Sequence, residues 1–110
     1  MIYVSGRIDI YNFERYRSQF MSAREYLEHE VTLYQDNDVV TLFEKFSEIN
    51  TAIHGLSNLS MSDEWDLRIG LVRNCDKLYL LQGWDVDDMC RAEWLYAKAK
   101  NKKIILSKKY

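Results

Sequence analysis

The stretch from Cys75 to Ala97 reads CDKLYLLQGWDVDDMCRAEWLYA and contains one strand, one turn and one helix. Its apolar run from Lys77 to Leu81 does not alternate with polar residues, which indicates a strand covered on both faces, as in a parallel sheet between helices. Gly83 ends this strand. The acidic turn that follows favours a helix N-terminus, and Asp87 is the predicted N-cap.

One carboxylate falls on the apolar side of the helix that follows. At about 100° per residue, the predicted apolar arc consists of Met89, Ala92, Leu95, Tyr96, Ala97 and Ala99. Glu93 lies within this arc, where a carboxylate is costly unless it is paired, hydrogen-bonded or beside a cleft. Because clefts in parallel sheets lie at the carboxyl ends of strands, Glu93 is a candidate site residue. The alternative is that Glu93 lies at the edge of the arc and reaches water or Lys100.

Size and composition restrict the class of protein. A chain of 110 residues predicts one domain over residues 1–110, and 47% hydrophobic residues indicate a globular fold. The formal net charge of -2 comes from many charges of both signs, so we expect neither a nucleic-acid polymer nor a membrane surface as a partner. The sequence shows no leader-like segment and no apolar run that could span a bilayer, which predicts a cytoplasmic protein.

The two cysteines, Cys75 and Cys90, form no disulfide framework. No further cysteine or paired histidine gives them the spacing of metal ligands, so we expect no metal site, and nothing indicates an organic cofactor. Cys75 is predicted to be a small core residue.

Strand and helix patterns alternate along the chain. Ile2 to Ser5 is an apolar strand, and Gly6-Arg7 resembles the sharp turn on which α/β proteins build ligand sites. The remaining predicted elements are a helix from Asn12 to Leu27, a strand from Val31 to Tyr34, a helix from Val39 to Ile53, a loop over residues 55–62, a helix from Ser62 to Asn74 and a last strand from Ile104 to Leu106.

This alternation predicts a doubly wound α/β sandwich with about four parallel strands and helices on both faces. Such a sheet has its crevice where the exit of the first strand meets the exit of a neighbouring strand. We therefore expect residues Tyr3 to Arg7 and Gly83 to Glu93 to converge. The fold alone does not select a function.

Several motifs carry a resemblance to a known family. They are Ile2–Gly6, Cys75–Leu81 with Gly83 and Trp84, Glu93 nine residues beyond that tryptophan, and Lys102–Leu106. In this order and spacing they resemble a small phage and bacterial family of domains of unknown function, related to nucleoside 2-deoxyribosyltransferases and to 2'-deoxynucleoside 5'-phosphate N-hydrolases. The resemblance covers nearly the whole chain.

The resemblance implies a flavodoxin-like or Rossmann-like domain that forms a homodimer or higher homo-oligomer and binds a nucleoside or nucleotide. It implies that Glu93 attacks the anomeric carbon of the sugar and forms a covalent glycosyl intermediate, that Tyr3 orients this carboxylate, and that a nearby acid protonates the departing base. The predicted ligand-binding residues are Gly6, Arg7, Arg68, Gly83, Trp84 and Asp87, with Trp84, Trp65 or Tyr3 available to stack on a base.

The chain also departs from the family pattern. Asp87 and Met89-Cys90 occupy positions where the family has a serine and Gly-Ala, and an aspartate repels a phosphate. Arg68 occupies the position of the expected acid, which leaves Asp63 or Asp66 as nearby substitutes. Arg7 and Arg68 either bind an anion together or are surface charges.

The sequence is therefore compatible with three functions. The first is an N-glycosidase or deoxyribosyltransferase with Glu93 as nucleophile. The second is a nucleotide-binding protein that senses or sequesters its ligand without chemistry, and the third is a protein-interaction module.

Overall fold

The computed structural model describes residues 1–9, 13–30, 38–53 and 60–107. Four strands form one sheet: β1 (Ile2–Ser5), β2 (Val39–Thr41), β3 (Lys77–Leu80) and β4 (Lys103–Leu106). Their spatial order is β2-β1-β3-β4, and all three pairings are parallel. The predicted doubly wound α/β fold with four parallel strands is confirmed, and its arrangement is flavodoxin-like.

In the described ranges, four α-helices connect the strands: α1 (Arg17–Glu25), α2 (Leu42–Ile53), α3 (Met61–Asn74) and α4 (Asp88–Ala99). A 3-10 turn at Phe13–Tyr16 precedes α1, and a π-helical turn at Tyr26–Glu30 follows it. The chain proceeds from β1 to β2 and then crosses back past β1 to β3. Helix α1 packs against α2 through the Phe20 and Phe43 rings and an Arg24–Glu44 ion pair, whereas α3 packs against α4. No helix within the described ranges is both long and apolar enough to cross a bilayer.

The predicted helix from Val39 is wrong in its first turn. Val39, Val40 and Thr41 pair with β1, and α2 begins only at Leu42. Three consecutive β-branched side chains favour the strand. The Thr41 hydroxyl then accepts a hydrogen bond from the Glu44 backbone N–H and donates one to Glu44 Oε1, both at 3.0 Å, which closes the first turn of α2. The predicted strand from Val31 to Tyr34 lies outside the described residues.

The start of α3 depends on a serine cap. The Ser60 hydroxyl accepts a hydrogen bond from the Asp63 backbone N–H at 3.0 Å, and Ser60 has an extended backbone. This geometry is that of an N-cap, so the helix begins at Met61 rather than at Ser62. The predicted loop is correspondingly shorter at this end, and residues 54–59 lie outside the described ranges.

Two glycines shape the exits of the central strands. A Cβ added at Gly6 would lie 2.9 Å from Leu81 Cβ, so the chain leaving β1 packs directly against the chain leaving β3. Gly83 has a φ of 96°, in the left-handed region that glycine favours. The predicted convergence of these two exits is therefore confirmed.

The buried face of α4 differs from the predicted apolar arc. The buried residues are Cys90, Glu93 and Ala97, whereas Leu95 is 59% exposed and Ala99 is also exposed. The alternative that placed Glu93 at the edge of the arc is wrong, because its side chain is fully buried. The helix buries a different face from the predicted one because Glu93 accepts hydrogen bonds from buried donors. The positions of apolar residues alone do not reveal these hydrogen bonds.

Candidate functional site

The Glu93 carboxylate lies between α4 and the end of β1 and has an exposed fraction of 0%. Its Oε1 atom accepts a hydrogen bond from Ser5 Oγ at 2.6 Å and another from Arg68 Nη1 at 2.8 Å. Both donors are themselves buried. One oxygen of the carboxylate is therefore held by two short, charge-assisted hydrogen bonds.

Arg68 projects from α3 and bridges two carboxylates. Besides its bond to Glu93, it donates from Nε to Glu64 Oε1 at 3.2 Å. Its Nη1 also lies 3.9 Å from Cys90 Sγ. Arg68 is 1% exposed and Glu64 is 13% exposed, so the guanidinium connects the buried Glu93 to the edge of the molecule.

Two polar atoms beside this ion pair have no hydrogen-bond partner among the described residues: Tyr3 Oη and Glu93 Oε2. The two groups nevertheless influence each other's ionisation, since Glu93 raises the pKa of Tyr3 and Tyr3 opposes the rise in the pKa of Glu93. Their approach does not meet hydrogen-bond geometry. Buried polar atoms without partners are uncommon in native proteins and are typical of positions that hold a water molecule, a ligand group or a reacting atom.

Burial controls the ionisation of the cluster. It raises the pKa of Glu93, and Arg68, Ser5 and Tyr3 oppose this rise. Burial by itself would lower the pKa of Arg68, but the Glu93 carboxylate and its neighbours raise it overall. Burial also raises the pKa of the Cys90 thiol, with a further contribution from Glu93. Cys90 therefore stays protonated at neutral pH and has little nucleophilic character.

An open cleft of about 620 Å³ lies at the carboxyl edge of the sheet. Three segments supply its walls: the chain after β1, the 3-10 turn before α1, and the N-cap of α4. Within the described part of the chain, the lining residues are Arg7, Ile8, Asp9, Arg15, Tyr16 and Asp87. This is the edge at which ligands bind in open parallel sheets. Glu93 does not line the cleft, although it follows Asp87 by six residues on the same helix.

The cleft combines cationic, aromatic and acidic groups. Arg7 and Arg15 come from different segments, and the Arg15 guanidinium lies 5.5 Å from the centre of the Tyr16 ring. Asp87 Oδ1 accepts a hydrogen bond from the Cys90 backbone N–H at 3.0 Å, which confirms the predicted N-cap. Such a lining suits a ligand that carries both an anionic group and a flat ring.

The structure divides the sequence-predicted site residues into separate groups. Tyr3, Arg68 and Glu93 lie together in the buried cluster, while Arg7 and Asp87 lie together on the cleft. Arg68 is not a surface charge, and it does not lie beside Arg7 on the cleft lining. The sequence predicted either an anion site that Arg68 shares with Arg7 or an exposed charge. The structure instead places Arg68 in a buried ion pair with Glu93.

The other predicted residues lie elsewhere. Gly6 and Gly83 act through the backbone at the strand exits. Trp84 stacks on Trp94 with ring centroids 5.5 Å apart and is not part of the cleft lining. Asp63 and Asp66 have exposed side chains, so the structure does not bring either of them to the buried Glu93 carboxylate.

The site residues that were not singled out from the sequence include Ser5 and Glu64 in the buried cluster and Arg15 and Tyr16 on the cleft. Ser5 follows Tyr3 by two positions in β1 and therefore points to the same face of the sheet, a signal that strand alternation contains. Glu64 precedes Arg68 by four positions on α3, the spacing of a helical ion pair. Arg15 and Tyr16 have no such signal, because their place on the cleft depends on how the 3-10 turn folds over β1.

Together the fold and these residues define a doubly wound α/β domain with a polar cleft at the carboxyl edge of its sheet and a buried carboxylate-guanidinium pair beside it. The chain belongs to the family described as a domain of unknown function, DUF4406, which matches residues 1–106. No curated protein matches the chain, and no solved structure matches it either.

Proposed function

We propose that this chain is a nucleotide-binding protein that holds its ligand in the cleft without cleaving the glycosidic bond. The observation that carries the proposal is the pair Arg7 and Arg15 on one cleft at the carboxyl edge of the sheet. Arginine presents a planar set of donors that binds phosphate oxygens in a bidentate manner. Two such groups from separate segments suit the phosphate of a nucleotide.

Two further lining residues, Tyr16 and Asp87, set the direction of the ligand. The Tyr16 ring offers a flat surface on which a base stacks. The Asp87 carboxylate repels phosphate and accepts hydrogen bonds from sugar hydroxyls or from the amino group of a base. The phosphate is therefore expected at the arginines, and the sugar or base at Asp87.

Burial of Glu93 supports binding without chemistry. A nucleophilic carboxylate must bring one oxygen to the anomeric carbon of the sugar. Here the whole side chain has an exposed fraction of 0%, and Oε1 already accepts hydrogen bonds from Ser5 and Arg68. The exposed carboxylates of Asp63 and Asp66 lie apart from it and offer no acid beside the reacting group.

A second candidate is an N-glycosidase or deoxyribosyltransferase, as implied by the resemblance to nucleoside 2-deoxyribosyltransferases. The observation in its favour is that Tyr3 Oη and Glu93 Oε2 are both buried without hydrogen-bond partners. In that reaction Glu93 Oε2 forms a bond to the anomeric carbon while the carbon–nitrogen bond breaks. The departing base then takes a proton from an acid, for which Asp63 or Asp66 was predicted.

Binding is tested by isothermal titration of the protein with nucleosides and with their 5'-phosphates. We expect a 5'-phosphate to bind more tightly than its nucleoside, and Arg7→Ala and Arg15→Ala each to weaken binding of the phosphate by about tenfold, the loss typical of a charge-assisted hydrogen bond. Arg73→Ala is the matched control, because Arg73 is an exposed arginine at the opposite end of α3 from the strand exits. Equal affinities of all four proteins would contradict the proposal.

Turnover is tested by chromatography of the same nucleosides and nucleotides after incubation with the wild type and with Glu93→Gln. We expect no free base from either protein. Free base released by the wild type and lost in Glu93→Gln would establish the second candidate instead.

A further inference from the structure

Arg68 is an unusual residue for the interior of a small domain. It is the largest fully buried side chain among the described residues, and α3 buries only Arg68 and Val72 completely. A guanidinium inside a protein keeps its charge, so it requires an anionic partner. Glu93 and Glu64 supply that partner from two sides.

The two carboxylates differ in their distance from solvent. Glu64 is 13% exposed and Glu93 is not exposed at all. The Arg68 guanidinium contacts both, through Nε at 3.2 Å and Nη1 at 2.8 Å. The guanidinium therefore fills the space between the partly exposed Glu64 and the buried Glu93.

We propose that Arg68 is an internal lock, a positioning residue whose guanidinium fills the space between Glu64 and Glu93 and keeps the Glu93 carboxylate buried and unreactive. The inference deepens the proposed function, since it gives the reason why a nucleotide in the cleft would not react with Glu93. A glycosyl group that leaves its base develops positive charge at the anomeric carbon. The Arg68 guanidinium repels that charge and occupies Oε1, one of the two carboxylate oxygens that could stabilise it, while Oε2 stays buried.

Accessibility of Glu93 is the direct readout, and it needs no nucleotide. The protein is treated with a water-soluble carbodiimide and glycine ethyl ester, and modification of each carboxylate is quantified by peptide mass spectrometry. Glu48, which is 65% exposed, is the internal reference. The variants are Arg68→Gln and Arg68→Lys, and Arg73→Gln on the same helix is the matched control. Circular dichroism and a cooperative melting transition establish that each variant is folded.

In the wild type and in Arg73→Gln we expect modification of Glu48 but not of Glu93. In Arg68→Gln we expect modification of Glu93 to rise at least about tenfold relative to Glu48, because loss of a buried partner is worth more than the free energy of one tenfold step. Arg68→Lys keeps the positive charge but lacks the planar donor set, so a smaller rise is expected.

Three results would overturn the proposal. The first is modification of Glu93 in the wild type at the level of Glu48. The second is no rise in Glu93 modification in a folded Arg68→Gln. Where Arg68→Gln does not fold, the third is no rise in Glu93 modification in a folded Arg68→Lys. Failure of nucleotide binding is read separately from the titrations with Arg7→Ala and Arg15→Ala. The lock and the proposed function can therefore fail independently.

Discussion

At the scale of single residues, Glu93 is stable in the interior only because Ser5 and Arg68 both donate to its Oε1 atom. Glu93→Gln keeps the shape of the side chain but leaves the buried Arg68 without its closest anionic partner. We expect the free energy of unfolding to fall by about 3 kcal/mol, the lower end of the range for removing one member of a buried ion pair. Urea denaturation measures the change.

The control for this prediction is Glu48→Gln on α2, which removes an exposed carboxylate and is expected to change stability by no more than about 0.5 kcal/mol. A loss of less than about 1 kcal/mol in Glu93→Gln would mean that the pair contributes little and that Glu93 is held by other contacts.

A second residue-scale prediction concerns two glycines in opposite settings. A Cβ at Gly6 would meet Leu81 Cβ at 2.9 Å, whereas a Cβ at Gly70 meets nothing within 4 Å. Gly6→Ala is therefore expected to destabilise the fold by about 1–3 kcal/mol through overpacking. Gly70→Ala, inside α3, is expected to stabilise it by about 0.5–1 kcal/mol. Thermal melting of both variants measures these changes. A Gly6→Ala variant as stable as the wild type would refute the close approach of the chains that leave β1 and β3.

The sequence could show part of the buried cluster but not its most important contact. Glu93 was predicted as a site residue because a carboxylate on an apolar face needs a partner, and Tyr3 followed from the family resemblance. Arg68 could not be paired with Glu93 from the sequence, since the two lie 25 positions apart on different helices. The contact depends on how α3 and α4 pack against each other.

At the scale of elements, one residue at the start of α4 affects both the stability of the helix and the charge of the cleft. Asp87 caps the helix and also lines the cleft. Asn is an equally good N-cap, so Asp87→Asn is expected to change the free energy of unfolding by no more than about 0.5 kcal/mol. Asn also keeps one acceptor oxygen for the sugar or base but removes a negative charge from the cleft that binds the phosphate, so nucleotide affinity is expected to rise by up to about fivefold.

Melting and isothermal titration test the two halves of this prediction. The control is Asp85→Asn, which neutralises an exposed aspartate that does not line the cleft. Weaker nucleotide binding by Asp87→Asn would contradict this prediction, because it would mean that the ligand requires the negative charge of Asp87 and not only its acceptor oxygen.

The secondary structure was predictable to different degrees in different elements. β1 and β3 have uninterrupted apolar patterns and appear where they were predicted. Val39 to Thr41 fits a helical repeat as well as a strand, and only pairing with β1 selects the strand. In α4 the most apolar arc is not the buried one, because hydrogen bonds to Glu93 outweigh the burial of Leu95.

At the scale of the whole molecule, several buried acidic groups predict a loss of stability in alkali. Burial raises the pKa values of Tyr3, Cys75 and Cys90 above their ordinary values of 10.0 for tyrosine and 9.0 for cysteine. Above about pH 9 the unfolded chain therefore releases protons that the folded chain retains, so the free energy of unfolding falls as pH rises. Tyr96, whose pKa is lowered by Arg73, acts in the opposite direction but is largely solvated.

The urea midpoint is measured from about pH 8 to about pH 10.5. Tyr3→Phe is expected to reduce the decline above pH 10, while Tyr26→Phe, which removes an exposed tyrosine, is expected to leave it unchanged. A midpoint that does not vary over this interval would contradict the burial of these groups.

The architecture of the whole domain was the most predictable property of the chain. The alternation of strands and helices fixed the parallel sheet and placed its crevice at the exits of β1 and β3. The cleft lining was less predictable, because Arg15 and Tyr16 reach it through the fold of a 3-10 turn. The class of ligand could therefore be proposed only from the structure and the sequence together.

The central claim is that a nucleotide binds in the cleft at the carboxyl edge of the sheet. Its most direct test is a two-dimensional NMR titration of the isotopically labelled protein with a nucleoside 5'-phosphate. We predict concentration-dependent shifts of the backbone amides of Arg7, Tyr16 and Asp87, with those of Asn74 and Lys100 at the opposite edge unchanged. Saturable shifts centred on Asn74 and Lys100, or no shifts at all at millimolar nucleotide, would contradict the account.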